Sequence, residues 1–148
     1  ARDITSRKKV EKSLIESETK YRVLFDNAPD AHFIFDLPGR IIDCNKMAET
    51  ILGYDRQELK GRNFNGKRLL LAEHVSKAKQ LIEKIAQGLS SGPEEFVLVR
   101  KDGTKLRTVI TAFPVDIDNT RYVMGIVRDV TYKYEAQKTI EKERQYYR

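Results

Sequence analysis

Glu95-Phe96-Val97-Leu98-Val99-Arg100-Lys101-Asp102-Gly103-Thr104-Lys105-Leu106-Arg107-Thr108-Val109-Ile110 is the stretch whose reading decides the fold. Runs rich in strand-forming residues flank Lys101-Asp102-Gly103, and an Asp-Gly pair in that setting marks a tight hairpin and so an antiparallel pair. The second run continues to Val115. Asp118-Asn119 then turns it into a third, Arg121 to Val130. Upstream, Ala31 to Asp36 and Arg40 to Cys44 make another hairpin about Leu37-Pro38-Gly39. Hairpins in both halves with helical patterns between them predict an α+β domain, an antiparallel sheet with helices packed on one face. Alternation puts Phe96, Leu98, Ile110, Met124 and Ile126 on one face, and Val97, Val99, Val109, Phe113, Val123 and Val127 on the other. Both faces are apolar, so the second needs a cover, either a flanking helix or another subunit.

Between the hairpins, Asn45 caps a short helix over Lys46 to Leu52 that Gly53 stops. Asp55 opens a helical turn to Leu59, and 62–72 carries no clear pattern. Glu73 to Gln87 is the plainest internal helix, with Val75, Ala78, Leu81, Ile82 and Ile85 on one stripe and Gly88 after it. Outside the domain the chain repeats itself. Arg2-Asp3-Ile4-Thr5 matches Arg128-Asp129-Val130-Thr131, and in the same alignment Leu14 meets Ile140 and Tyr21-Arg22 meets Tyr147-Arg148. A repeat of that length suits a tandem array of whole domains, of which this chain is one unit with a linker at each end. From Ser6 to Phe25, Val10, Leu14, Ser17, Tyr21 and Leu24 recur at heptad spacing, and Ala136, Ile140, Glu143 and Tyr147 repeat the phase. Such stripes either pair with a partner helix or lie on their own domain. Thr5 and Thr131 are candidates to cap these helices.

At 148 residues with one cysteine, Cys44, the chain predicts a single domain without an internal disulfide, suited to a reducing, cytoplasmic setting. No apolar run reaches the ~20 residues of a membrane span. The net charge of +6 is concentrated at the ends: residues 1–22 hold seven Lys/Arg against four acids, and 128–148 six against four. Interleaved charges on helical flanks read as solvated surface, so no nucleic-acid partner is expected.

Five motifs in order carry a family resemblance: Tyr21-Arg22-x-Leu24-Phe25-x-Asn27-Ala28-Pro29-Asp30, Asp36-x-x-Gly39-Arg40-Ile41-x-Asp43-x-Asn45, Leu52-Gly53-Tyr54-x-x-x-Glu58-Leu59-x-Gly61, Arg100-Lys101-Asp102-Gly103 and Asp129-x-Thr131. From about Tyr21 to Thr131 the chain resembles the PAS sensory domain. The resemblance implies five antiparallel strands in the order 2-1-5-4-3, and a sensory or dimerising module of a signalling protein, most often a histidine kinase, less often a diguanylate cyclase. It divides the chain into a linker helix (1–20), the sensor domain (21–131) and the start of a second signalling helix (132–148). It also implies a homodimer, an output domain in the same chain, and a ligand, where one binds, between the sheet and the helices at 45–52 and 73–87. The alternative is a ligand-free dimerising spacer.

On that basis the candidate ligand contacts are Phe33, Met47, Ile51, Phe64, Leu81, Ile85, Phe96, Leu98, Ile110 and Met124. Asp129 and Thr131 are the candidate signal relay, and Val10, Leu14, Tyr21, Val123 and Val127 the candidate dimer interface. No catalytic residue or metal set is assigned, and the cofactor stays open. Flavin photosensors of the family carry a cysteine in Gly-Arg-Asn-Cys-Arg, whereas here Gly61-Arg62-Asn63 leads to Phe64 and Asn65. Haem-binding relatives use a histidine on the long helix, and His74 falls several residues from that place. Gly61 to Lys67 has phosphate-loop spacing, but Arg68 stands where Ser or Thr must hold magnesium, and the match is coincidental. With only His32 and His74, no histidine triad or His-based metal site assembles.

Overall fold

Five strands, β1 (Ala31–Phe35), β2 (Ile41–Cys44), β3 (Ser91–Val99), β4 (Lys105–Ile117) and β5 (Thr120–Asp129), form one antiparallel sheet in a computed structural model that describes residues 2–63 and 69–146. Their order is β2-β1-β5-β4-β3. The longest ladder, β4 with β5, runs from Thr108↔Asp129 to Ile117↔Thr120. Asp118 and Asn119 close it at φ of 49° and 61°, the left-handed geometry of a primed two-residue turn that Asp and Asn tolerate. β1 pairs with β5, so the first and last strands of the domain are neighbours at the middle of the sheet.

Three helices cover one face: α2 (Lys46–Leu52), α3 (Arg56–Leu59) and α4 (Val75–Ala86), the last entered by a 3₁₀ turn over Ala72–His74. Asn45 caps α2 as predicted, its side chain accepting from the Ala48 amide. Gly53 ends α2 at φ 77°, where its N–H reaches the Glu49 carbonyl and a Cβ would be strained. Between sheet and helices lies a core that includes Phe33, Ile41, Leu52, Leu59, Phe96 and Leu106. The flanking helix α1 (Arg2–Asp26) is continuous and longer than the expected 6–25, so Thr5 lies inside it and is not its cap. Helix α5 (Thr131–Tyr146) starts directly after β5, in agreement with the repeat.

One strand is phased differently from the sequence reading. Phe35↔Val123, Phe33↔Gly125 and Ala31↔Val127 pair across β1 and β5, which turns Val123 and Val127 inward toward the helices. They are 2% and 4% exposed, so neither is available to a second subunit. Met124 and Ile126 point the other way, to the face they share with half-buried Val97, Val99, Val109 and Phe113. The cause is plain in the residues. From Tyr122 to Val127 every position is apolar or Gly, so a period of two carries no sign, and strand register sets the phase: the two-residue Asp118-Asn119 turn puts Met124 opposite Phe113.

Candidate functional site

A cavity of about 100 Å³ lies between α4 and the inner face of the sheet. Its floor is a place where small residues meet: Ala112 of β4 pairs directly with Gly125 of β5. A Cβ on Gly125 would stand 3.3 Å from Cε2 of Phe35, so glycine is what lets that ring lie across the strand. Phe33 and Phe35 form one wall, their rings stacked with centroids 5.8 Å apart and planes 19° apart. Ala78, Leu81 and Ile82 of α4 form the roof, with Phe96, Leu98 and Ile110 along β3 and β4. Ile41, Leu52, Leu69 and Leu70 close the far end.

Of the predicted contacts, Phe33, Leu81, Phe96, Leu98 and Ile110 face this space. Met47 and Ile51 pack against the main core without lining the cavity, and Ile85 is buried in a neighbouring cluster with Ala112 and Val123. Met124 is on the opposite face of the sheet, and Phe64 lies outside the described residues. Sequence reasoning did not assign Phe35, Ile41, Leu52, Leu69, Leu70, Ala78, Ile82, Ala112, Val123 and Gly125 to the cavity. The available signals were a glycine within a strand and the apolar triplet Leu69-Leu70-Leu71 in the patternless stretch.

Two polar clusters tie this cavity to the flanking helices. Asn45 is fully buried and uses its whole amide: Nδ2 donates to the carbonyls of Phe25 and Asp30, both at 2.9 Å. Its Oδ1 accepts from the amides of His32 (2.9 Å) and Ala48 (3.1 Å). One side chain thus fastens the last turn of α1 to β1 and to α2. Nearby, Arg56 of α3 pairs with Asp26 of α1 and, at 3.4 Å, with Glu49 of α2.

At the other end, the Asp129 carboxylate accepts from the Thr131 amide at 2.9 Å. Thr131 Oγ1 accepts from the Arg107 amide at 3.0 Å and donates to the Arg107 carbonyl at 3.3 Å. The hydroxyl therefore completes the β4–β5 ladder one step beyond the last strand residue, a different use from the helix cap expected. An open groove of about 500 Å³ lies beside it, reaching from Glu73 and His74 to Gln137 of α5. Phe96 borders both the groove and the cavity.

The singled-out polar residues take structural places. Cys44 is fully buried, and burial pushes its thiol up to about 11. His32 lies on the outer face, edge-on to Phe25 at 6.0 Å, and burial lowers its pKa. His74 sits in the 3₁₀ turn with its ring 5.8 Å from that of Phe96. Among the described residues no cluster of three or more His, Cys, Asp or Glu is arranged to hold a metal, and no helix is long and apolar enough to cross a membrane.

A family model described as the PAS domain matches residues 29–132, and the chain belongs to that family, whose domains are sensory modules of signalling proteins. It is 28% identical over 141 residues to sporulation kinase E of Bacillus subtilis, covering 95% of this chain and 18% of that protein. It is also 28% identical over 127 residues to the methyl sulfide methyltransferase-associated sensor of Methanosarcina acetivorans, covering 84% and 12%. The chain thus spans less than a fifth of either relative's length. Among solved structures, the PAS domain of an HTR-like protein from Haloarcula marismortui superposes with a TM-score of 0.73 at 24% identity, over 82% of this chain and 98% of that one. The sheet order expected from the motifs is the order observed.

Proposed function

We propose that this chain is a non-catalytic sensory unit that binds a small molecule in the cavity beneath α4 and relays its presence through α5 to an output domain in the same polypeptide, a histidine kinase in the simplest case. Residues 21–131 form the sensor, 1–20 and 132–148 are the connectors, and the setting is the cytoplasm. The observation that carries this reading is Phe96, a shared wall between the cavity and the groove that α5 borders. A ligand that prefers one placement of Phe96 and α4 biases whichever placement of α5 accompanies it, and differential affinity for the two states is all the coupling requires. Asp129 and Thr131 transmit the bias, because they join the end of the sheet to the first turn of α5.

A second reading, a ligand-free spacer that works by pairing α1 with a second copy, is favoured by Val10 and Leu14, which are 67% and 59% exposed and so do not lie on their own domain. Native mass spectrometry of the 148-residue chain distinguishes the two, since it reads subunit count and retained small molecules together. A retained molecule that disappears when Ala112→Leu fills the cavity floor supports sensing. Paired subunits that retain nothing, and whose output in the full-length protein ignores Ala112→Leu, support the spacer.

A further inference from the structure

We propose that the cavity selects a small, uncharged, apolar molecule of up to about the size of benzene, and excludes carboxylates, amines and other charged metabolites. The inference rests on the reading of this cavity as the sensory site and adds the chemistry of what enters it.

Every lining residue, among those described, is a hydrocarbon side chain or glycine. Nε of Arg56 and Nε of Arg100 are buried without a hydrogen-bond partner, but neither residue lines the cavity, and the two fully buried polar side chains are engaged. Thr108, 1% exposed, donates to the Phe96 carbonyl at 2.8 Å, and Asn45 makes all four of its bonds within the protein. The strand amides and carbonyls that flank the floor belong to the β4–β5 and β1–β5 ladders. A carboxylate or ammonium entering here would leave water and gain no partner among the described lining residues, a penalty that no packing contact offsets. Water fares little better: about 100 Å³ is room for several molecules, yet each needs two to four polar partners, and the described lining side chains offer none. An engineered cavity of ~150 Å³ lined by Leu, Ile and Phe takes up benzene or xenon, so in the smaller space of about 100 Å³ here benzene marks the upper limit of size. The shape adds a preference for a planar guest. Phe33 and Phe35 present nearly parallel rings 19° apart, a flat wall for offset stacking.

The test titrates benzene and, separately, sodium benzoate into the 148-residue chain and follows the methyl resonances of Leu81, Ile82 and Ile110. Benzene is expected to shift these methyls to saturation, with benzoate binding at least about 100-fold more weakly because its charge has no partner. Ala112→Leu fills the floor and is expected to abolish the benzene response. Ala78→Leu fills the same space from the helix side, so the result does not hang on one variant's folding. Benzoate binding as well as benzene, benzene shifts that survive both filled variants, or no benzene binding at all overturns the proposal. Spin labels on α5 separate it from the sensory reading. Benzene bound in the cavity with α5 distances unchanged upholds the apolar assignment and removes the sensory role. A charged metabolite retained by the native chain and lost in Ala112→Leu does the reverse.

Discussion

Asn45 is the residue on which most local geometry depends, because its side chain is fully buried and its four hydrogen bonds join three backbone segments, the end of α1, the start of β1 and the first turn of α2. Asn45→Ala leaves two buried carbonyls and two amides unpartnered, and is expected to lower unfolding free energy by roughly 2–4 kcal/mol, measured by urea denaturation. Its neighbour Cys44 makes the pH-dependent counterpart. Burial raises the thiol from 9.0 to about 11, so the folded state favours the protonated form. That stabilisation is intact below pH 9 and is lost as pH rises from 9 through about 11. A two-unit rise makes the thiolate about 100-fold rarer, so iodoacetamide at pH 8 should alkylate Cys44 at least that much more slowly in the folded chain than in urea. Equal rates in the two states would contradict the buried placement.

Among the elements, the join of β5 to α5 is held by a hydroxyl acting as an extra rung of the sheet. Thr131→Val keeps the shape and removes the rung, whereas Thr131→Ser keeps it. Hydrogen exchange at the Arg107 amide is therefore expected to accelerate roughly fivefold or more in the valine variant and to stay near its original rate in the serine one, as loss of about 1 kcal/mol of protection implies. The elements themselves were legible in the sequence wherever a local cause sets them. Asp102-Gly103 and Asp118-Asn119 give hairpins, Asn45 and Gly53 bracket α2, and the 75–86 stripe gives α4. What stayed hidden depends on contacts between distant residues. The phase of β5 follows from strand register, with β1 on one side and, through the two-residue Asp118-Asn119 turn, with β4 on the other, and that turn also sets Ala112 opposite Gly125. Half of the predicted cavity contacts were found: Leu81 on a helix with a distinct polar face, and Phe33, Phe96, Leu98 and Ile110 on strands whose inward phase was read correctly although both faces are apolar. Met124 was misplaced because its strand has no polar face.

On the scale of the whole molecule, α1 projects an apolar stripe past the domain it leads into. Ile4, Val10, Leu14 and Ile15 are all more than half exposed, the surface on which the proposed pairing of α1 with a second copy would act. If the chain pairs through this stripe, Val10→Glu combined with Leu14→Glu should weaken the dimer by at least about tenfold in sedimentation equilibrium, since each charge costs more than 1.4 kcal/mol at a packed seam. The melting temperature of the domain should hardly move, because neither side chain touches its core. The placement of the two connectors has a broader consequence. Ala31 opens β1 opposite Val127 near the close of β5, and Asp30 holds Arg128 at 3.3 Å, so the polypeptide quits the sheet beside the point where it arrived. A bead whose two threads emerge together can be strung, doubled or snipped out while the string on either side keeps its own course.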